Sequence, residues 1–193
     1  MVLSKKIIGF LVVLSFLNGA KAQQYATKKI DRLIALSFQL SNRHQALQIC
    51  AKTYQLSDAV GYYPGKAKSL NANINSYIGL GEREKALRSA NKLYEIASSE
   101  GDDYYMGQAL LAQALSYAYL GFFEKALKIN KDAEVICSKI KDNDEFYSSL
   151  GQVYGGRAEI KHLQYKAPKE VLASELKSLG YYKKFYIIGD ISI

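Results

Sequence analysis

One phrase is written three times along this chain at a constant interval. Residues 79–90 read GLGEREKALRSA, residues 119–130 read YLGFFEKALKIN, and residues 39–50 carry a fainter version, QLSNRHQALQIC. Aligned, Leu40, Leu80 and Leu120 coincide, then Ser41, Gly81 and Gly121, then Ala46, Ala86 and Ala126, then Leu47, Leu87 and Leu127, each set forty residues apart. Self-similarity at a fixed period of about 20–50 residues marks a solenoid, in which a unit too thin to bury its own apolar face stacks on its neighbour.

Apolar spacing makes each unit a pair of helices. Before the glycine, Leu70, Ile74, Tyr77 and Ile78 follow helical spacing, as do Leu110, Ala114, Tyr117 and Ala118 one unit later. After it, Ala86, Leu87, Ala90, Leu93, Tyr94 and Ala97 form one stripe, with Arg88, Asn91, Lys92 and Glu95 turned outward. The phrase is thus a hinge. Gly81 and Gly121 suit the left-handed conformation that ends the first helix. Glu84 and Glu124 fall in the first turn of the second helix, within reach of Arg88 and Lys128 at i+4. Ala86 and Ala126 are small where two helices must cross. The segment SSEGDD at 98–103 ends one helix with Gly101 and caps the next with Asp102 or Asp103, and KDNDE at 141–145 opens the fourth unit in the same way. Pro168 suits the first turn of the last helix. The predicted pairs are 27–40 with 44–56, 65–79 with 82–99, 103–120 with 123–140, and 145–163 with 168–186. The fold class is therefore all-α: an α-solenoid of antiparallel helix pairs, with units of about 27–66, 67–106, 107–146 and 147–186.

The units resemble tetratricopeptide repeats. The resemblance is carried by Leu70, Ile74, Tyr77, Ala86, Ala90 and Leu93 in one unit and by Leu110, Ala114, Tyr117, Ala126 and Ala133 in the next. The first unit matches through Ile30, Ile34, Ser37, Ala46 and Cys50, and the fourth through Leu150, Tyr154, Ala158 and Ala167, without the hinge glycine. The match is strongest over 67–140. The family unit is about 34 residues long, so the longer period implies longer helices. Tyr77, Gly81, Ala86, Tyr117, Gly121 and Ala126 are then structural repeat positions.

Residues 1–22 read as an export leader: Lys5 and Lys6, an apolar run from Ile7 to Leu17, and Ala20-Lys21-Ala22 before Gln23. The run is too short for a membrane span, which needs about 20 residues, and no cysteine stands at the cleavage point for lipid attachment. The expected mature protein, residues 23–193, is periplasmic or secreted. Its loss of Lys5, Lys6 and Lys21, with no acid removed, takes the net charge from +8 to +5. These charges alternate along the chain, which argues against a nucleic-acid partner. Cys50 and Cys137, the two cysteines, lie in apolar helical stretches and read as small buried hydrophobes rather than a disulfide framework.

No catalytic or metal constellation emerges from the spacing. His44 and His162 each stand apart from any HExxH or CxxC pattern, GYYPG at 61–65 lacks a phosphate-loop ending, and GQVYGG at 151–156 lies inside a helical pattern. Gly151 and Gly155 fall on one helix face and admit close approach of another helix or a ligand chain. No enzyme, cofactor or metal is expected. The family resemblance implies instead that first helices line a concave groove holding a protein or peptide. The groove positions are Lys68, Asn71, Asn75 and Ile78, with Gln108, Leu111, Leu115 and Tyr119 one unit on. Side-chain amides there suit a peptide backbone, since they donate and accept. The family's clamp for a terminal carboxylate is not reproduced, because Ala112 stands where a basic residue is wanted. The end of the chain, YYKKFYIIGDISI, leaves an apolar, β-prone tip, open to homodimerisation, to partner docking or to continuation into further repeats. Two functions follow as expectations: a binding scaffold, or the sensor region of a bacterial signalling or transcription-regulator system cut short of a transmembrane and output domain.

Overall fold

The computed structural model describes residues 23–191, the last four in backbone course only; the leader reading falls outside them. These residues form eight helices: α1 (23–39), α2 (Arg43–Ala59), α3 (Tyr63–Gly79), α4 (Arg83–Glu100), α5 (Asp103–Tyr119), α6 (Phe123–Cys137), α7 (Asn143–Leu163) and α8 (Pro168–Ile191). No strand occurs among the described residues, so the all-α class holds. The predicted boundaries fall within a few residues of these, except at the end of the chain. There α8 carries the segment expected to be β-prone on to Ile191 as helix. No described helix is long and apolar enough to cross a membrane.

The hinges share one backbone solution. Gly81 sits at φ +75°, its N–H bonds the Ile78 carbonyl at 3.0 Å, and the Glu82 N–H bonds the Tyr77 carbonyl at 2.9 Å. This paired 5→2 and 6→1 closure is a Schellman motif. It recurs at Gly61, Gly101 and Gly121, so the interval between identical hinges is twenty residues, half the period of the written phrase. Tyr165 closes α7 with the same two bonds at φ +56°, without the freedom of glycine. Two connections differ. Ser41 is not left-handed, and α2 starts instead from Asn42, whose side chain accepts from the His44 and Gln45 N–H groups. The step from α6 to α7 has no glycine either and relies on the Asp142 side chain, which caps Asp144 and Glu145. Asp102, rather than Asp103, caps α5.

The chain divides into two compact units between Ser69 and Leu70, inside α3. In the first, Ile30, Ile34, Ala46, Cys50 and Ala67 form the core. Thr53 and Ser69 share a buried hydroxyl hydrogen bond at 2.8 Å, and Asp31 accepts from Tyr62 and Lys68. In the second unit α5 packs on α4, α6 and α7, while α7 packs on α5, α6 and α8. Helix α5 therefore touches both its own partner, α6, and the next first helix, α7, as stacked hairpins require. The forty-residue period appears as direct bonds: the Tyr119 hydroxyl donates to Glu159, and the Gln164 amide donates to Glu124 at 3.2 Å. Ala86, Ala90, Ala97, Ala126 and Ala133 are fully buried at the crossings. Ala167, by contrast, is exposed in the turn before α8. Cys50 and Cys137 are free and buried. A Cβ on Gly107 would overlap the Cys137 sulfur, which shows how closely α5 and α6 approach.

One polar network crosses this core. Asn130, fully buried in α6, donates to the Val153 carbonyl at 2.9 Å and accepts from Arg157 Nε at 2.8 Å. Arg157 also pairs with Glu134 at 2.6 Å, and the Tyr154 hydroxyl donates to the same carboxylate. Burial alone would raise the Glu134 pKa; the bonds from Tyr154 and Arg157, with the charges of Arg157 and Lys177, outweigh it and hold the carboxyl below its usual range. Tyr154 is pushed up to about 12 by burial first and then by its bond to Glu134. Each polar group is satisfied by another, which makes the α6–α7 register specific.

Candidate functional site

The residues expected to line a groove separate into several environments. Lys68, in the first unit, is engaged by Asp31 at 3.3 Å. In the second unit Asn75 is exposed and Asn71 half-buried on α3. Gln108 is half-buried on α5, and its Nε2 is a buried donor with no partner among the described residues. Leu111 corrects the expectation: it is 6% exposed and belongs to the core cluster with Leu110, Ala133, Cys137, Leu150 and Val153. The physical reason is the position of α5, which is packed by three helices and so has more than one buried stripe.

Tyr119 is the predicted residue that the structure ties to a recess. Its ring lies under the Arg83 guanidinium at 4.0 Å, and its hydroxyl donates to Glu159 on α7. Arg83 is itself oriented by its bond to the Ile78 carbonyl at 2.9 Å. The Tyr119 pKa is raised, first by the bond to Glu159 and then by burial, with Arg83 opposing. The phenol thus stays a donor at neutral pH and fixes the Glu159 carboxylate in place.

Glu159 in turn lines a cleft of about 520 Å³ between α7 and α8. The cleft exists because these helices meet through small residues at one end. Tyr182 lies across Gly151, where a Cβ would come within 3.0 Å of its ring, and the Ser178 hydroxyl donates to the Gly151 carbonyl at 2.8 Å. Tyr181 stacks on Tyr154 at 5.5 Å, fixing the same end. The close approach admitted by Gly151 and Gly155 is thus made by α8. Past Ser178 the walls become Gly155, Ala158 and Leu179, with Glu159, Glu175 and His162 at the rim. His162 and Glu175 also border a second recess of about 800 Å³ under the α7–α8 turn, walled by Val171, Leu172 and Pro168.

Among the described residues no three His, Cys, Asp or Glu side chains converge as metal ligands. Chemically, the cleft offers an apolar floor and an acidic rim, a surface for an amphipathic segment bearing cations. Sequence reasoning missed Glu159, Glu175 and the α8 wall; the signal was present in the forty-residue step from Tyr119 to Glu159. No protein-family model and no curated protein matches the chain.

The repeat positions are differently placed. Gly81 and Gly121 make the hinges described above, and Ala86 and Ala126 are fully buried. Tyr77 and Tyr117 are half-buried, each with a lysine ammonium over its ring, Lys85 at 5.8 Å and Lys125 at 3.8 Å. Phe122 meets Tyr117 edge-on at 6.2 Å. The ion pair formed at the Gly81 hinge is Lys85 with Glu82, at 2.6 Å.

Proposed function

We propose that this chain is a non-enzymatic scaffold of the tetratricopeptide kind that holds a protein or peptide partner. The observation that supports this reading is the Tyr119–Glu159 bond, which joins successive first helices at the repeat interval and leads directly into the α7–α8 cleft. Apolar walls with a few convergent polar groups are the usual make-up of a binding recess. The partner that suits it is a short amphipathic segment, its apolar side chains between Ala158 and Leu179 and a lysine or arginine against Glu159 and Glu175. Export to the periplasm or the medium belongs to the same proposal and rests on the reading of residues 1–22.

The test is selection from a displayed random peptide library with the purified protein, followed by titration of the selected peptides. The expected peptides combine one cation with two or more large apolar residues. Glu159→Gln with Glu175→Gln weakens them at least tenfold, with unchanged thermal stability. Selection of no peptide, or of peptides that bind the double variant equally well, refutes the proposal.

A further inference from the structure

Helix α8 buries one face and leaves the other bare. Ser174 and Ser178 are buried against α7, with Tyr181 and Phe185 half-buried on the same side. On the opposite side Leu172, Leu176, Leu179, Tyr186 and Ile187 are 51, 59, 64, 68 and 50% exposed. Steps of four, three, seven and one residues place these side chains within roughly 100° of arc, the apolar stripe of a helix that packs on another helix. Single exposed leucines need no explanation, but five large apolar side chains on one face, with Lys183 among them, do.

We propose that this stripe pairs two copies of the chain, α8 against α8, in antiparallel orientation about Leu179. Two features argue for a second copy as the occupant. The first is charge. Lys183 lies within the stripe, and in a parallel pair it would face its own image. In an antiparallel pair centred on Leu179 it meets Glu175 of the other copy, while Leu172 meets Tyr186 and Leu179 meets itself. At these positions the surface is complementary to itself, as a two-fold interface must be. The second is area. Taking on the order of 200 Å² for each fully free residue, the upper range being that of aromatic side chains, the five leave roughly 600 Å² of exposed surface per copy. Complete burial on both copies would remove at most about 1,200 Å², the lower edge of specific, stable interfaces. Leu179 and Glu175 also line the α7–α8 cleft and Leu172 the second recess, so pairing and occupation of the cleft compete for the same side chains.

The experiment is sedimentation equilibrium of the full chain over a hundredfold range of concentration. A monomer–dimer equilibrium is expected. Leu179→Glu sets two carboxylates against each other on the two-fold axis and yields monomer at every concentration, with an unchanged far-UV spectrum and melting temperature of the monomer. Lys183→Glu alone weakens the dimer at least tenfold, and Lys183→Glu with Glu175→Lys restores it. That restoration separates the proposed pairing from a folding defect, because both substitutions are on exposed positions. A wild-type monomer throughout overturns the proposal. So does an oligomer that survives Leu179→Glu, which would place the contact elsewhere, or a charge reversal that fails to restore association.

Discussion

Replacing Gly121 by alanine adds one methyl group where it touches nothing. An ideal Cβ there meets no heavy atom within 4 Å, while the backbone sits at φ +85°. Packing therefore drops out of the free-energy change, and conformation alone remains. The left-handed region costs an L-residue roughly 1–2 kcal/mol. Against this, alanine has less unfolded-state entropy to lose than glycine, a stabilisation of roughly 0.4–1 kcal/mol. Gly121→Ala should accordingly destabilise the protein by about 1 kcal/mol. Tyr165 offers the converse: it holds the same hinge conformation at φ +56° and is 97% exposed, so its ring contributes almost no packing. Tyr165→Gly should stabilise by about 0.5 kcal/mol. Gly180→Ala provides the control, because Gly180 lies inside α8, has no atom within 4 Å of its Cβ position and no positive φ. There the same methyl group stabilises by about 0.5–1 kcal/mol. Urea unfolding followed by far-UV circular dichroism reads all three, with unchanged m-values expected. In a chain of this size thermal midpoints move by about 2–4 °C per kcal/mol. A stabilised Gly121→Ala protein, or a Tyr165→Gly protein that loses stability, would refute the assignment of these hinges to left-handed conformation.

Acid titration should weaken the α6–α7 register through Glu134. Its folded pKa lies below the ordinary 4.5, so its contribution is complete above that value and is lost as pH falls through the lowered one. The Glu134→Gln protein should lack that part of the acid transition, and an identical acid profile would remove Glu134 as its source. Tyr154 acts at the other end: raised from 10 to about 12, it contributes below pH 10 and loses that contribution as pH climbs toward 12, which ultraviolet titration of the phenols would detect. Burial pushes the Cys137 thiol up to about 11 and raises Cys50 as well, so both should resist a thiol reagent at pH 8 until urea is added; rapid labelling of the folded protein contradicts their burial. Gly151→Ala drives a methyl group into the Tyr182 ring and should destabilise by about 1–3 kcal/mol, more than Gly155→Ala, whose nearest neighbour is the Ser178 hydroxyl at 3.3 Å; equal effects would mean that α8 yields freely.

The hinges were readable in the amino-acid sequence because each demands a residue without a Cβ, and a backbone demand of that kind leaves its mark on residue identity. Even so, aligning at forty residues hid the finer interval, since the glycines at 61 and 101 close the other half of each unit and the phrase at 39–50 uses an asparagine cap in place of a left-handed turn. The groove was less readable for a different reason. Helical spacing separates one buried stripe from the rest of a helix, and that suffices for α4, whose buried residues are Ala86, Ala90, Leu93 and Ala97. It fails for α5, which is packed by α4, α6 and α7 together, so Leu111 falls outside the first stripe and is buried all the same. The last helix inverts the difficulty. Inside a stack, each apolar face is covered by the next unit, and surplus apolarity in the sequence goes unnoticed. On α8 that surplus stays visible as a row of exposed leucines, and a composition reading could register its excess but not its arrangement. Only the helical course through Ile187 aligns Leu172, Leu176 and Leu179 with Tyr186, and sets Glu175 and Lys183 equidistant from Leu179. The pairing proposed for α8 rests on that arrangement, and loss of association in Leu179→Glu is what tests it.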